Sequence, residues 1–251
     1  MRVFRGFDEL PAFDNAVVTV GSFDGLHSGH LVLLDRCREL ARERGGESVV
    51  LTFETHPRVV LRRAEGLRLL TTLEEKILLL EGLGVDNLIV IPFDRDFSRL
   101  TYEAFVGRYL IDKVGAKVLV VGYNHHFGRD SEGSYSSVVK LGEDYNIEVS
   151  KVDEWRDTKG ENVSSTVVRR LLSTGEIERA VGLLQRPYLI LGQVDCDGRL
   201  WCSDALKQIP LQGRYRALVD GVERVVVVDV DGVLWCSDVL HDVRIEILGL
   251  A

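Results

Sequence analysis

The sequence predicts an α/β protein with a doubly wound parallel sheet, followed by a small antiparallel β domain. In the first 186 residues, short β-branched runs alternate with amphipathic helical segments. The β-branched runs lack polar alternation, as expected for strands buried on both faces. A glycine-rich turn joins the first of these strands to a helix. From residue 187 onward, turn signals between short apolar runs replace the helical pattern. We therefore expect two domains, residues 1–186 and 187–251.

The composition is that of a globular protein and restricts its partners. The chain has 251 residues, is 45% hydrophobic and carries a formal net charge of −8, which argues against nucleic acid as a partner. We expect no membrane association and a cytoplasmic location, because no apolar run approaches a membrane span and the N-terminus lacks a signal-peptide pattern. The four cysteines lack Cys-x-x-Cys spacing, which favours free thiols. The oligomeric state stays open.

The first strand, turn and helix predict a phosphate-binding site. The apolar run 17–20 stops at a glycine, and apolar residues recur at helical spacing from about residue 30. Free N–H groups and the positive dipole end of a helix favour an anion at such a turn. Three glycines allow the backbone to approach the ligand closely, namely Gly21, Gly25 and Gly29.

His27 and His30 stand three residues apart where that anion is expected. Two imidazoles on one turn can donate hydrogen bonds to phosphate oxygens and stabilise the charge that develops as a phosphorus–oxygen bond breaks. No covalent step is needed. The alternative interpretation is a solvated glycine loop with two incidental histidines.

A second phosphate site is predicted from residue 164 onward. Ser164, Ser165 and Thr166 offer hydroxyls at a helix N-terminus. Arg169 places a guanidinium fork one turn further along, which suits a leaving pyrophosphate. The alternative is an ordinary serine cap with a solvated arginine. The position of the segment in an alternating β/α chain, about 140 residues after the histidines, favours the phosphate site.

The remaining elements follow from apolar runs and breakers. Residues 1–16 are expected to be a lead-in without chemistry. Thr72 and Glu75 are expected to form a capping box for a helix that ends at Gly82 or Gly84. The order of the strands does not follow from the sequence. The further predicted strands are 48–53, 88–91, 117–121 and 147–152, and the further predicted helices start near 101, 133 and 175.

The segment 21–30, Gly-Ser-Phe-Asp-Gly-Leu-His-Ser-Gly-His, resembles the HxGH signature of nucleotidyltransferases in the form found in bacterial FAD synthetases. In that family an FMN adenylyltransferase module is fused to a riboflavin kinase. Residues 164–169 are similar to the Ser-Ser-Thr-x-x-Arg motif by which the superfamily holds the β- and γ-phosphates. The resemblance implies a Rossmann-like sheet and the reaction of ATP with FMN, with Mg²⁺, to give FAD and pyrophosphate. It implies nucleotide contacts from Gly21, Ser22, Phe23, Asp24, Gly25, His27, Gly29, His30, Ser164, Ser165, Thr166 and Arg169, with His27, His30 and Arg169 as catalytic residues.

Three further segments resemble the flavin side of the family: residues 52–57, 92–97 and 122–129. The third departs from the family at Asn124, where aspartate is usual, and at His126, where arginine is common. The alternative for the first segment is a capped strand end, and for the second it is plain aromatic packing. For the third, His125 and His126 could bind a metal, although neighbours in an extended segment point to opposite sides. The implied flavin contacts are Thr52, Phe53, His56, Pro57, Phe93, Phe97, Asn124 and Phe127. The metal-binding residues stay unassigned.

The C-terminal region predicts hairpins built on a repeat. The thirteen residues from Val194 recur from Val228 with ten identities, each copy containing Asp-Gly, and Asp220-Gly221 gives a third turn. The kinase motif Pro-Thr-Ala-Asn does not occur in the sequence, and Arg244 stands where the kinase family has its catalytic glutamate. Residues from 187 onward are also fewer than the family's kinase domain uses. We therefore expect a degenerate, kinase-like β domain.

Two rival functions stay open for the sequence. The first is another small-molecule nucleotidyltransferase, since the phosphate motifs are shared across the superfamily and only the flavin-side segments discriminate. The second is a flavin or nucleotide sensor without catalysis, which the departure at Asn124 favours.

Overall fold

A computed structural model describes residues 1–61, 65–123, 135–157, 160–236 and 242–251. The chain divides into two compact units. The first comprises Met1–Phe23, His30–Glu65 and Leu80–Glu154, and the second comprises Asp24–Gly29, Gly66–Leu79 and Trp155–Ala251. This division by compactness differs from the predicted functional boundary after residue 186, which stays a prediction.

The first unit contains a six-stranded parallel sheet with the order β1-β4-β3-β2-β5-β6. The order reverses beside β2, because β3 and β4 extend the sheet on one side of it and β5 and β6 on the other. Ligands of open α/β sheets bind outside the carboxyl ends of strands at such a reversal. The strands are β1 Arg2–Arg5, β2 Val17–Val20, β3 Ser48–Phe53, β4 Asn87–Ile91, β5 Val118–Gly122 and β6 Glu148–Val152.

Helices follow the strands along the chain, as a doubly wound fold requires. The second of the longer ones starts with the predicted capping box, in which Thr72 N–H donates to Glu75 at 2.9 Å and Glu75 N–H donates to the Thr72 hydroxyl at 3.2 Å. The helices are α1 Ser28–Glu43, α2 Pro57–Val60, α3 Leu73–Gly82, α4 Tyr102–Phe105, α5 Tyr135–Tyr145, α6 Ser165–Ser173 and α7 Ile177–Leu184, with a 3-10 turn at Phe97–Arg99 and a π-helical continuation of α4 at Val106–Ile111.

Strand β1 lies in the segment expected to be a lead-in, where no strand was predicted. Arg2–Arg5 pairs in parallel with β4, with Phe4 opposite Ile89. It is an edge strand with mostly exposed side chains, so its sequence lacks the continuous apolar run that identified the central strands. The Phe4 ring still packs against Phe13 at a centroid distance of 5.8 Å.

The second unit contains a six-stranded antiparallel sheet with the order β11-β10-β9-β12-β7-β8. Its two ends meet, because Arg199 forms a β-bridge with Trp235 and Cys236 N–H donates to the Gly198 carbonyl at 2.8 Å. The sheet therefore closes towards a barrel. The strands are β7 Tyr188–Val194, β8 Leu200–Cys202, β9 Gly213–Val219, β10 Val222–Val228, β11 Leu234–Trp235 and β12 Asp242–Leu250.

The predicted hairpins are confirmed. The β9–β10 turn has positive φ at Asp220 (49°) and Gly221 (81°), as a two-residue hairpin turn demands. In the two copies of the repeat, Val194 pairs with Leu200 and Val228 pairs with Leu234 across equivalent turns. The fold class is thus confirmed in both parts. Across the described ranges, no helix has the length and apolar character that crossing a bilayer requires.

Candidate active site

The turn between β2 and α1 has an unusual backbone. Phe23, Gly25 and Leu26 have φ values of 46°, 83° and 43°, a conformation that L side chains seldom adopt and that marks a constrained loop. A Cβ atom on Gly25 would lie 2.6 Å from Leu70 Cδ1. Glycine is therefore required at position 25 for both conformation and space.

Asp24 is the buried anchor of this turn. Its carboxylate oxygen Oδ1 accepts hydrogen bonds from the N–H groups of Leu70 (2.9 Å) and Thr71 (3.0 Å). Its other oxygen accepts a hydrogen bond from Arg169 Nη2 at 2.5 Å. The Asp24 carbonyl accepts a hydrogen bond from the Ser165 hydroxyl at 2.9 Å. The first predicted phosphate motif is thus bonded directly to the second.

The second motif forms a helix N-terminus, as predicted. Helix α6 begins at Ser165, and the Ser164 hydroxyl accepts the Val167 N–H at 3.3 Å, which is an N-cap bond. Thr166 is exposed at this end. Arg169 also donates from Nε to the Arg68 carbonyl at 2.6 Å, so two bonds fix its guanidinium beside Asp24.

His27 is held as a neutral imidazole. The side chain is buried, and burial lowers its pKa to about 4, with Arg169 acting in the same direction and Asp24 opposing it. A neutral imidazole has one N–H donor and one acceptor. Gly29 lies against the ring, because a Cβ there would be 3.3 Å from His27 Nδ1. The side chain therefore has one N–H to donate and carries no full positive charge.

His30 lies in the first turn of α1, half-buried. Its ring packs edge to face on Phe23 at a centroid distance of 5.4 Å. Phe23 is fully buried, and its backbone is in the left-handed conformation. This conformation places the Phe23 ring against the imidazole of His30 and so orients it.

The predicted flavin segments supply an aromatic cluster at the carboxyl ends of β3 and β4. Phe53 and Phe93 lie 5.1 Å apart, and Phe93 and Phe97 lie 5.7 Å apart, all in edge-to-face geometry. All three rings are half-buried. Phe97 also packs on Phe105 and Tyr109, so part of its contact surface is ordinary core packing.

The other predicted flavin residues have mixed surroundings. Thr52 is fully buried and donates its hydroxyl to the Ser22 carbonyl at 3.3 Å, which links the end of β3 to the first turn. His56 Nδ1 accepts the Arg58 N–H at 3.2 Å and so caps the short helix that begins at Pro57. Asn124 and Phe127, together with the histidines at 125 and 126, lie outside the described residues.

Two charged residues near Asp24 were missed by sequence reasoning. Arg186 donates to the Gly25 carbonyl at 2.7 Å, and burial lowers its pKa to about 10. Lys76 is buried, and desolvation lowers its pKa to about 8 while Asp24 opposes the shift. In the sequence, Lys76 stands out only as a cation directly after the capping-box glutamate. Arg186 stands out only as part of the Arg-Pro pair at the predicted domain boundary.

The described residues contain no group of three or more His, Cys, Asp or Glu side chains placed to hold a metal ion. A fixed multi-carboxylate site is therefore not offered by these parts of the chain.

Fold and site together define a nucleotidyltransferase-like α/β domain joined to a small β-barrel-like domain. The family model described as FAD synthetase matches residues 10–167. The chain belongs to the FAD synthetase family.

Two curated relatives carry the name bifunctional riboflavin kinase/FMN adenylyltransferase. The protein from Listeria monocytogenes serovar 1/2a is 36% identical over 181 residues, covering 72% of this chain and 57% of its own length. The protein from Escherichia coli strain K12 is 33% identical over 196 residues, covering 77% of this chain and 62% of its own length. The chain thus matches about three fifths of the length of these relatives.

A solved structure shares the whole fold. The crystal structure titled macrolide-efflux protein from Streptococcus pneumoniae matches with a TM-score of 0.84 and 24% identity, covering 100% of both chains. At this identity the likeness concerns the fold alone.

Proposed function

We propose that this protein is an FMN adenylyltransferase that makes FAD and pyrophosphate from FMN and ATP with Mg²⁺. Family membership supports the substrate pair, because the matched relatives carry this activity in their names. The observation that carries the proposal is the bond from Arg169 to Asp24, which joins the two predicted phosphate motifs across 145 positions of the chain. The cytoplasmic location expected from the sequence belongs to the same proposal.

The reaction is an in-line displacement at the α-phosphorus of ATP. A phosphate oxygen of FMN forms the new bond to this phosphorus, and the bond from it to the oxygen that bridges to the β-phosphate breaks. Both electrons of that bond leave with pyrophosphate. Such transfers need positioning and charge stabilisation more than covalent chemistry, which suits a site of histidines, hydroxyls and one arginine.

The residues of the two motifs receive distinct roles. His27 and His30 would donate hydrogen bonds to triphosphate oxygens, and neutral His27 would do so without attracting FMN phosphate into a competing ion pair. Arg169 would stabilise the charge that develops on pyrophosphate. The N-terminus of α6, with Ser164, Ser165 and Thr166, would bind the terminal phosphates, whose charge its free N–H groups and dipole favour.

The flavin contacts would come from the ends of β3 and β4. The half-buried rings of Phe53, Phe93 and Phe97 provide an apolar, aromatic surface suited to an isoalloxazine ring. Thr52, His56, Pro57, Asn124 and Phe127 complete the proposed set.

We further propose that the C-terminal sheet does not phosphorylate riboflavin. Arg244, which stands where a catalytic base is expected, pairs with Glu246 at 2.9 Å, and arginine cannot accept a proton near neutral pH. This proposal concerns the kinase half of the relatives' names only.

The decisive experiment is product analysis with the purified protein, ATP and Mg²⁺ and three acceptors: FMN, nicotinate mononucleotide and phosphopantetheine. We expect pyrophosphate release and FAD formation with FMN alone. Turnover with another acceptor would make the protein a different nucleotidyltransferase. Binding of FMN without pyrophosphate release from any acceptor would favour the sensor.

A further inference from the structure

Residues 67–75, here called the strap, connect the antiparallel sheet region to the Asp24 turn inside the second compact unit. Along one edge the strap pairs with residues 205–208. Leu69 N–H donates to the Leu206 carbonyl at 2.8 Å, and Gln208 N–H donates to the Leu69 carbonyl at 2.7 Å. These two bonds make a parallel bridge opposite Lys207.

Lys207 is buried at the centre of this contact. Its ammonium donates to the carbonyls of Leu70 (2.8 Å) and Leu189 (2.7 Å) and to the Glu75 carboxylate (2.5 Å). The exposed fractions of the two ionic side chains are 1% and 0%. All three N–H groups of the ammonium thus donate to acceptors, two in the strap and one in β7.

Glu75 completes the connection from the strap side. One carboxylate oxygen accepts the Leu191 N–H of β7 at 2.9 Å, and the other accepts the Thr72 N–H at 2.9 Å. The capping box that begins α3 is therefore bonded to the antiparallel sheet as well as to its own helix.

The opposite edge of the strap faces the predicted phosphate site. Leu70 bonds in both directions: its carbonyl accepts from Lys207, and its N–H donates to Asp24. Thr71 N–H donates to the same Asp24 oxygen at 3.0 Å. Asp24 in turn accepts the bond from Arg169. A continuous series of bonds therefore runs from Lys207 through Leu70 and Asp24 to the guanidinium.

We infer that Lys207 is a positioning residue for adenylyl transfer: it fixes the strap so that Asp24 holds Arg169 in place for the triphosphate. The inference rests on the proposed function, and it gives the C-terminal region a role in that reaction. Rigid support of a contact group matters because small displacements of a positioned group cost large factors in rate.

The chemistry of the site favours positioning over simple packing. A buried ion pair is a weak source of stability, and well-packed apolar side chains of similar volume often serve as well or better. A cation with three acceptors, by contrast, fixes the backbone atoms that it contacts in one arrangement. An apolar residue at 207 would fill the space without holding the Leu70 carbonyl.

The test uses the full chain with the double substitution Lys207→Met and Glu75→Gln, which removes both buried charges together. The matched control is Arg214→Met, which removes an exposed cation from β9. We expect kcat for FAD formation to fall by on the order of 10²-fold in the double variant. The KM for FMN should change by less than about twofold, because no flavin contact is altered. The control should match the wild type.

A second readout separates this inference from the proposed function. Hydrogen–deuterium exchange of the peptide that covers the strap should be faster in the double variant, since the Leu70 carbonyl loses the Lys207 donor that holds the strap, and with it the Leu70 and Thr71 amides, against Asp24. Unchanged exchange, or a folded double variant with wild-type kcat, would overturn the role of Lys207. If the wild-type protein makes no FAD, the proposed function is wrong. The exchange measurement would still test whether Lys207 and Glu75 hold the strap in place.

A double variant that fails to fold leaves a test on the wild type. In low denaturant, the strap amides of Leu70 and Thr71 should lose protection together with the Leu191 amide of β7, because Lys207 and Glu75 bond the two segments. Loss of protection in the strap well before β7 would refute the inference.

Discussion

Arg169 and Asp24 form a partly buried ion pair at 2.5 Å, although 145 positions separate them in the chain. Asp24 also accepts two backbone N–H groups and, at 3.4 Å, the Thr71 hydroxyl, so its carboxylate oxygens already have four hydrogen bonds. We therefore expect Asp24 to act on the nucleotide through Arg169 and through the conformation of its own turn. The same pair makes the two phosphate motifs one structural element.

Removing the guanidinium should slow the reaction of the folded protein. We expect Arg169→Ala, and separately His30→Ala, to lower kcat for FAD formation by on the order of 10²-fold, the usual loss of one charge-stabilising contact. Arg170→Ala is the matched control, because Arg170 is the exposed neighbour on the same helix. Steady-state kinetics check this, and wild-type rates in the folded variants would show that the phosphates bind elsewhere.

Replacing Asp24 should lower both the free energy of unfolding and the activity. Asp24→Asn leaves the Arg169 charge without its partner, and breaking a buried pair from one side costs about 3 kcal/mol of unfolding free energy. We expect a loss of that size in urea unfolding, together with loss of FAD formation.

A double variant distinguishes the two effects of Asp24. Asp24→Asn combined with Arg169→Met removes the uncompensated charge, so part of the lost stability should return while activity stays low. Recovery of activity along with stability would show that Arg169 has no role in transfer.

Burial of His27 should make the protein acid-sensitive. Its pKa is about 4 in the folded state and 6.5 ordinarily, so the unfolded state binds more protons between these values. Stability from this group is present above pH 6.5 and is lost as the pH falls towards 4. Between pH 6.5 and 5 the loss amounts to about 2 kcal/mol, from 1.36 kcal/mol per pKa unit.

The comparison with His27→Asn isolates this residue, because the other titrating groups are common to both proteins. Urea unfolding at pH 7.5, 6.5, 5.5 and 5.0 should show the wild type losing about 2 kcal/mol more than the variant over this range. Parallel pH profiles would contradict a buried, neutral His27.

Much of this architecture was predictable because the signals are local. The run 17–20 with its glycine turn, the Thr72–Glu75 capping box and the Asp220-Gly221 turn each specify their own conformation. Strand order and the β1 edge strand were not predictable, since pairing of distant strands leaves no local trace. The partners of Asp24 and the role of Lys207 also depend on residues that are adjacent only in the folded chain.

The sequence repeat gives a prediction about the antiparallel sheet. Asp195 accepts the N–H groups of Asp197 and Arg199 at 3.0 Å and the Trp201 indole N–H at 2.8 Å. In the second copy, Asp229 accepts the N–H groups of Asp231 and Val233 at 2.9 Å and the Trp235 indole N–H at 2.7 Å. Each aspartate thus fixes one hairpin turn and one tryptophan.

We expect Asp195→Ala and Asp229→Ala each to lower the thermal midpoint and shift tryptophan fluorescence, because the turn and the indole lose their shared acceptor. Asp197→Ala and Asp231→Ala, two residues further along each turn, serve as controls. These hydrogen bonds lower the pKa of both aspartates, so their contribution is present above the ordinary aspartate value and lost as the pH falls below it. Equal effects of all four substitutions would refute the assignment.

The last prediction concerns riboflavin phosphorylation. Arg244 lies on β12 and donates to Glu246, its neighbour on the same strand face, at 2.9 Å. This hydrogen bond engages the Glu246 carboxylate with the guanidinium. Glu246 is therefore a poor substitute for a catalytic glutamate, even though a register shift of two keeps the strand face.

We expect no FMN when the protein is supplied with riboflavin, ATP and either Mg²⁺ or Zn²⁺, while the same preparation converts FMN to FAD. The FAD assay is the control for folding and nucleotide binding. Sustained FMN production that disappears in Glu246→Gln would show that Glu246 is the base and that the sheet is a working kinase. FMN production that survives this substitution would also contradict the prediction and would assign the base to another residue.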